Sequence, residues 1–185
     1  MQIKNTTERF GAVSKVYHWL IFALITLQFY LIWMFETLSK LDLSRGNYMF
    51  FHKSVGATIL LLAIMWIIWR RYNVLPKPFP KQNSWQHHLA KFVHIALFTT
   101  IIAMPVTGLF MSMAAGRGLD YFGLFTIAPF IPHNEVLAGY LKSAHIIIAW
   151  VLVGLVVLHA LGALVHHVIY KDNVMRRMLP FVKLK

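Results

Sequence analysis

The stretch HIIIAWVLVGLVVLH, residues 145–159, has no ionisable side chain other than the histidines at its two ends. It lies within a longer segment, Ser143 to Tyr170, that is almost free of charge. A helix that rises ~1.5 Å per residue needs ~20 residues to cross the ~30 Å hydrocarbon core of a bilayer. The stretch therefore predicts a transmembrane helix that carries two histidines.

Three further segments are equally poor in charge, and they run from Val16 to Phe35, from Phe51 to Trp69 and from Phe92 to Ala115. The chain has 185 residues and is 58% hydrophobic, so these segments leave no sequence for a water-soluble domain. The sequence predicts an all-α membrane protein. We expect a single domain over residues 1–185, built as a bundle of four transmembrane helices.

The positive charges predict which helix ends face the cytoplasm. Of the 18 Lys and Arg residues, thirteen fall within residues 1–15, 70–91 and 171–185. Because cytoplasmic loops carry the excess of Lys and Arg, both termini and the middle loop are predicted to be cytoplasmic. The net charge of +12 then indicates contact with anionic lipid rather than with nucleic acid. The five residues on the opposite side are Lys40, Arg45, Lys53, Arg117 and Lys142.

The connections between the helices differ in composition. The loop NVLPKPFPKQNSW, residues 73–85, is rich in proline and is predicted to be extended. The longest loop, about Gly116 to Lys142, contains FGLFTIAPFI, which we expect to lie on the membrane surface. Arg45 is expected in the loop before the second helix, and Pro105 in AMPVTG predicts a kink in the third.

Cysteine is absent, and histidine is frequent. The lack of Cys excludes disulfides, thiolate-ligated iron–sulfur clusters and haem attachment through Cys-x-x-Cys-His. Several of the ten histidines lie in apolar segments, where ionisable side chains are costly and mark function. His145 and His159 share one helix face and are ~21 Å apart along its axis, since fourteen residues turn through nearly four full turns. That separation indicates two sites, one near each membrane surface.

Depth in the membrane pairs these histidines with others. A haem held by two imidazoles needs a second histidine from another helix at the same depth. His18 begins the first helix on the cytoplasmic side, and His52 begins the second on the outer side. We therefore predict an outer pair, His52 with His145, and an inner pair, His18 with His159. The glycines expected to leave room for a flat cofactor are Gly56, Gly154 and Gly162.

Other assignments remain open from the residues alone. His94, near the start of the third helix, could replace His18 at the inner site. A metal transporter lined by His and Met would combine His94 with methionines of the third helix. Those methionines are Met104, Met111 and Met113. The histidines assigned to ordinary polar roles at the membrane boundary or in loops are His87, His88, His133 and His166.

Short motifs along the chain occur together in one known family. They are SKVYHW, FHKSVGATILL, AMPVTGL, LKSAH and LHALGALVHH, followed by the ending YKDNVMRRMLP. With these motifs the chain resembles the bacterial cytochrome b561 family, over nearly its whole length. The resemblance implies a di-haem membrane cytochrome b. It also implies axial haem ligands on the first, second and fourth helices, which correspond to His18, His52, His145 and His159.

The resemblance also implies an activity. Members of the family move electrons between haem b and quinone in the respiratory chain, and one member type oxidises superoxide and reduces ubiquinone. The chain is thus expected to be an oxidoreductase, with ubiquinone and superoxide as redox partners. Related four-helix cytochromes are instead anchor subunits of hydrogenases or other reductases, so a partner subunit and a homodimer both stay open.

Two positions depart from the pattern of many relatives. Trp66 stands where they carry an Arg inside the second helix, so Arg70 or Arg71 would have to neutralise the propionates of the inner haem. Ile146 stands where they carry an acidic residue after the fourth-helix ligand. Neither change removes an expected ligand.

Overall fold

The computed structural model describes residues 2–77 and 84–182. It contains four long helices, each of which is long and apolar enough to cross a membrane. They are α1 (Ala12–Thr37), α2 (Arg45–Arg71), α3 (Ser84–Ala114) and α4 (Glu135–Val168). The predicted four-helix membrane fold is confirmed.

The helices run alternately up and down, and each packs against the next one along the chain. One end of the bundle, where α1 stops and α2 starts, also carries a β-hairpin that is described below, and we call it the hairpin end. We call the opposite end, where α1 starts and α4 stops, the termini end. Within the described part of the chain, no Cα atom of α4 comes within 8 Å of a Cα atom in α1 or α2. A gap therefore separates α4 from α1 and α2, and only side chains reach across it. We call this gap the seam.

All four helices start earlier than the apolar segments indicated. Helix α2 begins at Arg45, which was expected in a loop, and α4 begins at Glu135 rather than at Ser143. Asn134 caps α4, because its side-chain oxygen accepts a hydrogen bond from the Leu137 amide at 2.9 Å. The predictions were wrong here because apolar content marks the membrane-spanning part of a helix, whereas caps and polar first turns lie outside it. His87 and His88 also fall inside α3.

Pro105 does not interrupt α3, which remains helical through it. The part of the proline-rich loop at residues 78–83 lies outside the described residues. Lys81, Lys183 and Lys185, which contributed to the charge argument, lie outside them too. The described part of that loop, residues 74–77, has no regular secondary structure.

A small β-hairpin, absent from the sequence predictions, covers the hairpin end. Strand β1 (Leu119–Tyr121) pairs antiparallel with β2 (Phe125–Ile127). Residues 122–124 connect the strands, and Phe122 and Gly123 in this turn both have positive φ, 51° and 71°. Ser54 attaches the hairpin to α2, since its hydroxyl donates to the Asp120 carbonyl at 3.0 Å and accepts from the Phe122 amide at 3.0 Å.

Most of the buried core residues come from α1 and α2, among them Ile21, Ile25 and Ile59, and Ile101 comes from α3. Leu152 is the α4 residue that joins this cluster, and it is only 3% exposed. Leu152 is seven residues from both His145 and His159, so all three lie on nearly the same face of α4. One leucine thus fills the middle of the seam, with a histidine above it and another below.

The termini end is covered by the segment after α4. The buried ammonium of Lys15 donates to the Leu179 carbonyl at 2.8 Å, and the Trp19 indole donates to the Met178 carbonyl at 3.0 Å. These bonds hold the chain after α4 against the start of α1. Both donors flank His18, so the segment lies beside one of the predicted ligands.

Candidate functional site

At the hairpin end, the structure brings His52 of α2 next to His145 of α4. Their ring centroids are 6.4 Å apart, and the planes are inclined by 79°. The two helices have no backbone approach within 8 Å in the described residues, so side chains alone bridge the seam here. The pair stands about two to three turns from the helix ends, at similar depth in both helices.

At the termini end, three histidines come together. The ring of His159 lies 6.0 Å from that of His18 and 5.1 Å from that of His94, measured between centroids. The His94 Nδ1–H donates to the Ala90 carbonyl one turn earlier in α3, at 2.6 Å. The structure thus places both sequence candidates, His18 and His94, beside His159.

The spacing of the rings fits a metal ion between two imidazoles. A ligating ring nitrogen stands ~2 Å from a first-row metal and the centroid roughly 1 Å further, which puts two opposed centroids ~6 Å apart. The pairs at 6.4 and 6.0 Å match that distance, whereas 5.1 Å is short for it. The Nδ1 atoms of His18 and His52 are also buried, and neither has a hydrogen-bond partner among the described residues.

Helix α3 supports His145 through residues that sequence reasoning missed as site residues. The Thr107 hydroxyl lies 3.1 Å from His145 Nδ1, within hydrogen-bond distance. Gly108 packs directly on the ring, because a Cβ atom at this position would stand 2.9 Å from His145 Cε1. Both belong to AMPVTG, which had been interpreted only as a proline kink. The sequence did offer a signal for this contact, because Gly108 follows the hydroxyl-bearing Thr107 at the same membrane depth as the predicted ligand His145.

The three glycines predicted to make room for a cofactor differ in surroundings. A Cβ at Gly154 or Gly162 would meet nothing within 4 Å, so the space beside α4 is open at both positions. A Cβ at Gly56 would instead stand 3.0 Å from the side-chain nitrogen of Gln28. Gly56 therefore makes room for a side chain of the protein itself.

One cationic side chain, that of Lys53, lies near the hairpin-end pair. Lys53, next to His52, donates from Nζ to the Ser112 hydroxyl at 2.8 Å and to the Gly118 carbonyl at 3.4 Å. In residues 2–77 and 84–182, the ion pairs involve His133 and His166 with nearby carboxylates and leave Lys53 without an acidic partner. The Lys53 ammonium is thus a half-buried positive charge held by neutral oxygens.

At the termini end, aromatic rings and an arginine replace such a lysine. Trp66 lies 6.4 Å from His18 and 4.9 Å from Phe98, ring to ring. Arg70, one turn further along α2, holds its guanidinium 5.5 Å above the Phe98 ring. Where many relatives carry an Arg, this chain has Trp66, and the next positive charge along α2 is that of Arg70, one helical turn away at the same end of the bundle.

The alternative metal transporter finds no support in this arrangement. Met113 lies ~28 Å from His94 along α3, from the rise of a helix, so the two cannot share an ion. Among the residues that the structure describes, no group of three or more His, Asp or Glu side chains is arranged to hold a metal ion.

The sequence matches the prokaryotic cytochrome b561 family over residues 9–181. The chain belongs to this family. Cytochrome b561 homolog 2 of Escherichia coli K12 is 32% identical over 180 residues, covering 97% of this chain and 95% of that protein. Cytochrome b561 homolog 1 of the same organism is 30% identical, and a probable superoxide oxidase CybB of Yersinia pestis is 33% identical, each over 70% of this chain and 73% of the relative.

The general function of the protein follows from its membership in the cytochrome b561 family. The protein is a multi-pass bacterial membrane protein of the cytochrome b type, which binds b-type haem and transfers electrons. The predicted family resemblance is confirmed by this match. The paired histidines across the seam are the residues in the structure that suit such haem.

Gly108 gives a direct test of the α3 contribution. We expect Gly108→Ala to lower the haem content of this cytochrome, because its new Cβ would force the His145 ring to move. Haem per chain, measured from the pyridine haemochrome spectrum, is the readout. Gly139→Ala, in α4 with nothing within 4 Å of the added Cβ, is the matched control and should keep full haem. Full haem in Gly108→Ala would contradict the contact.

Proposed function

We propose that this cytochrome carries electrons across the bacterial inner membrane through two b-type haems. The observation that supports the proposal best is the pair of histidine contacts that cross the seam, ~21 Å apart along α4. Each contact joins α4 to a different helix, α2 at the hairpin end and α1 at the termini end. Two haems at these positions would lie near opposite membrane surfaces.

The proposed axial ligands are His52 with His145 for one haem and His18 with His159 for the other. We prefer His18 to His94 because its ring lies 6.0 Å from that of His159, which fits iron between them, while 5.1 Å does not. On this assignment His94 packs beside the haem without binding iron.

Haem ligated by two imidazoles supplies one-electron transfer with no iron position free for substrate. The work of the chain is to hold the rings and to exclude water. Leu152 does so between the two sites, since it is buried in the core cluster midway between His145 and His159 along α4. The hairpin and the segment after α4 cover the two ends.

The orientation and the partners belong to the same proposal. The charge bias puts both termini in the cytoplasm, so the hairpin end would face the periplasm. We propose quinone as the acceptor and superoxide as a donor at the hairpin end. The support is that a relative at 33% identity is named a probable superoxide oxidase, and that the cationic Lys53 stands beside His52. A positive charge of this kind attracts a small anion.

The ligand assignment predicts selective haem loss. His145→Ala should remove one b-type haem and largely spare the other, and His159→Ala should remove the other one, because each histidine serves a separate iron. Haem per chain and the reduced-minus-oxidised spectrum measure this. His94→Ala is the control and should retain both haems. Unchanged haem content in both ligand variants would refute the pairing, and haem loss in His94→Ala would reassign the inner ligand.

The redox activity is tested with the purified chain in lipid vesicles. We expect superoxide to reduce the haem quickly and added ubiquinone to reoxidise it, followed by stopped-flow absorbance. Lys53 follows His52 directly and Lys142 precedes His145 by three residues. The double variant Lys53→Gln with Lys142→Gln should lower the rate severalfold and flatten its dependence on ionic strength, because it removes both positive charges from the side where superoxide is proposed to react. Lys40→Gln, in the loop at the same end, is the control.

Two results would contradict parts of this account. A salt dependence unchanged in the double variant would exclude steering by these lysines. A chain that keeps its haem but reacts with neither superoxide nor quinone would favour the alternative role, an anchor subunit of a larger reductase.

A further inference from the structure

Gln28 is an amide side chain in the apolar sequence of α1, at the depth of the hairpin-end pair. It lies nine residues before the end of α1, ~13 Å from that end of the helix. Its Nε2 donates to the backbone carbonyl of His52 at 2.9 Å. Polar side chains at such a depth are costly and require an interaction that compensates for the cost. The bond from Gln28 joins α1 to the helical turn that carries His52.

Gly56 makes this contact fit. It is four residues after His52, on the same side of α2, and a Cβ there would stand 3.0 Å from Gln28 Nε2. That is tighter than ordinary van der Waals contact, so an alanine would push the amide away. Glycine at this position therefore admits the glutamine, beyond the room for a cofactor that the sequence indicated.

The same amide leaves its oxygen unused. Gln28 Oε1 and His52 Nδ1 are both buried, and neither has a hydrogen-bond partner among the described residues. The amide orientation is fixed by the first bond, because exchanging the two ends would set Oε1 against the His52 carbonyl, acceptor against acceptor. Gln28 and His52 are thus already joined by one hydrogen bond, and each has a further polar atom, Oε1 and Nδ1, that lacks a partner.

We propose that Gln28 is a positioning residue for the His52 imidazole. When the Nε2 atom of His52 binds iron, its Nδ1 carries the proton and needs an acceptor in this water-poor region. Gln28 Oε1 supplies that acceptor, while Nε2 of the same amide holds the backbone of the His52 turn. The inference rests on the proposed ligand role of His52, and it adds the outer partner that fixes the ring.

This arrangement has an electronic consequence for one haem. A hydrogen bond from Nδ1–H makes a ligating imidazole more basic, which favours the oxidised iron and lowers the potential. Only the hairpin-end haem would be affected, because Gln28 contacts α2 at His52 and the other pair lies ~21 Å away along α4. The amide would therefore help to set the difference in potential between the two haems.

The test is a redox titration of the haem-loaded protein carrying Gln28→Met, a substitution of similar size without hydrogen bonding. We expect the midpoint potential of one haem to rise, the other to stay unchanged, and haem to dissociate faster from the affected site. Thr26→Val, also in α1, removes a hydroxyl that bonds only its own helix at Phe22, and should change neither potential.

Gly56→Ala provides a second route to the same contact if Gln28→Met fails to assemble. Alone it should raise the same potential by a smaller amount, and in the Gln28→Met background it should add nothing, because the amide it displaces is gone. Equal shifts of both haems, no shift, or a full additional effect of Gly56→Ala in the double variant would each overturn the proposal.

Failure of this inference can be told apart from failure of the proposed function. If His52→Ala loses one haem and Gln28→Met leaves both potentials unchanged, His52 is a ligand and Gln28 does not position it. If His52→Ala keeps both haems, the ligand assignment itself is wrong, and the positioning role falls with it.

Discussion

The structure depends on the contacts that α4 makes across its seam. No α4 backbone comes close to α1 or α2 in the described residues, so the contacts are made by side chains from one helix face. His145, Leu152 and His159 repeat at seven residues, an interval that drifts by only ~20° around a helix. Leucine closes the centre of the seam, and the histidines meet partners above and below it. Without the two proposed haems, α4 would pack almost solely on α3.

Residues of neighbouring helices hold the contact between His52 and His145 in place. Gly108 and Thr107 press against His145 from α3, while Gln28 and Gly56 hold the turn of His52 between α1 and α2. Both histidines of the hairpin-end pair are thus supported by residues of neighbouring helices. The hairpin is fixed to α2 by Ser54, next to His52, so the cover and the site share a helical turn.

Much of this could be predicted from the sequence, for a physical reason. Crossing a bilayer requires long apolar helices, and depth within them follows from the helical rise, so the fold and the pairing of His52 with His145 follow from counting residues. The same counting left His18 and His94 undecided, since both are at the right depth. Rotation of each helix decides which ring faces which, and apolar sequence fixes rotation poorly.

What the sequence missed depends on contacts between distant residues. The sequence did not indicate a role for Gln28, because its partner is the backbone of another helix and a backbone carbonyl is the same for every residue type. The β-hairpin was missed because its strands are three residues long and its turn has Phe122 at positive φ, a conformation usually left to glycine or asparagine. The helix starts were predicted too late in the chain, because the first turns and caps of the helices are polar and lie outside the apolar segments.

The central claim is that one chain holds two haems at different depths, and haem stoichiometry tests it most directly. The unmodified protein, purified in detergent, would be quantified for haem b by the pyridine haemochrome spectrum and for protein by amino-acid analysis. The same sample would then be titrated electrochemically. The account predicts two haems per chain that titrate as two one-electron components. One haem per chain, with a single component, would contradict it.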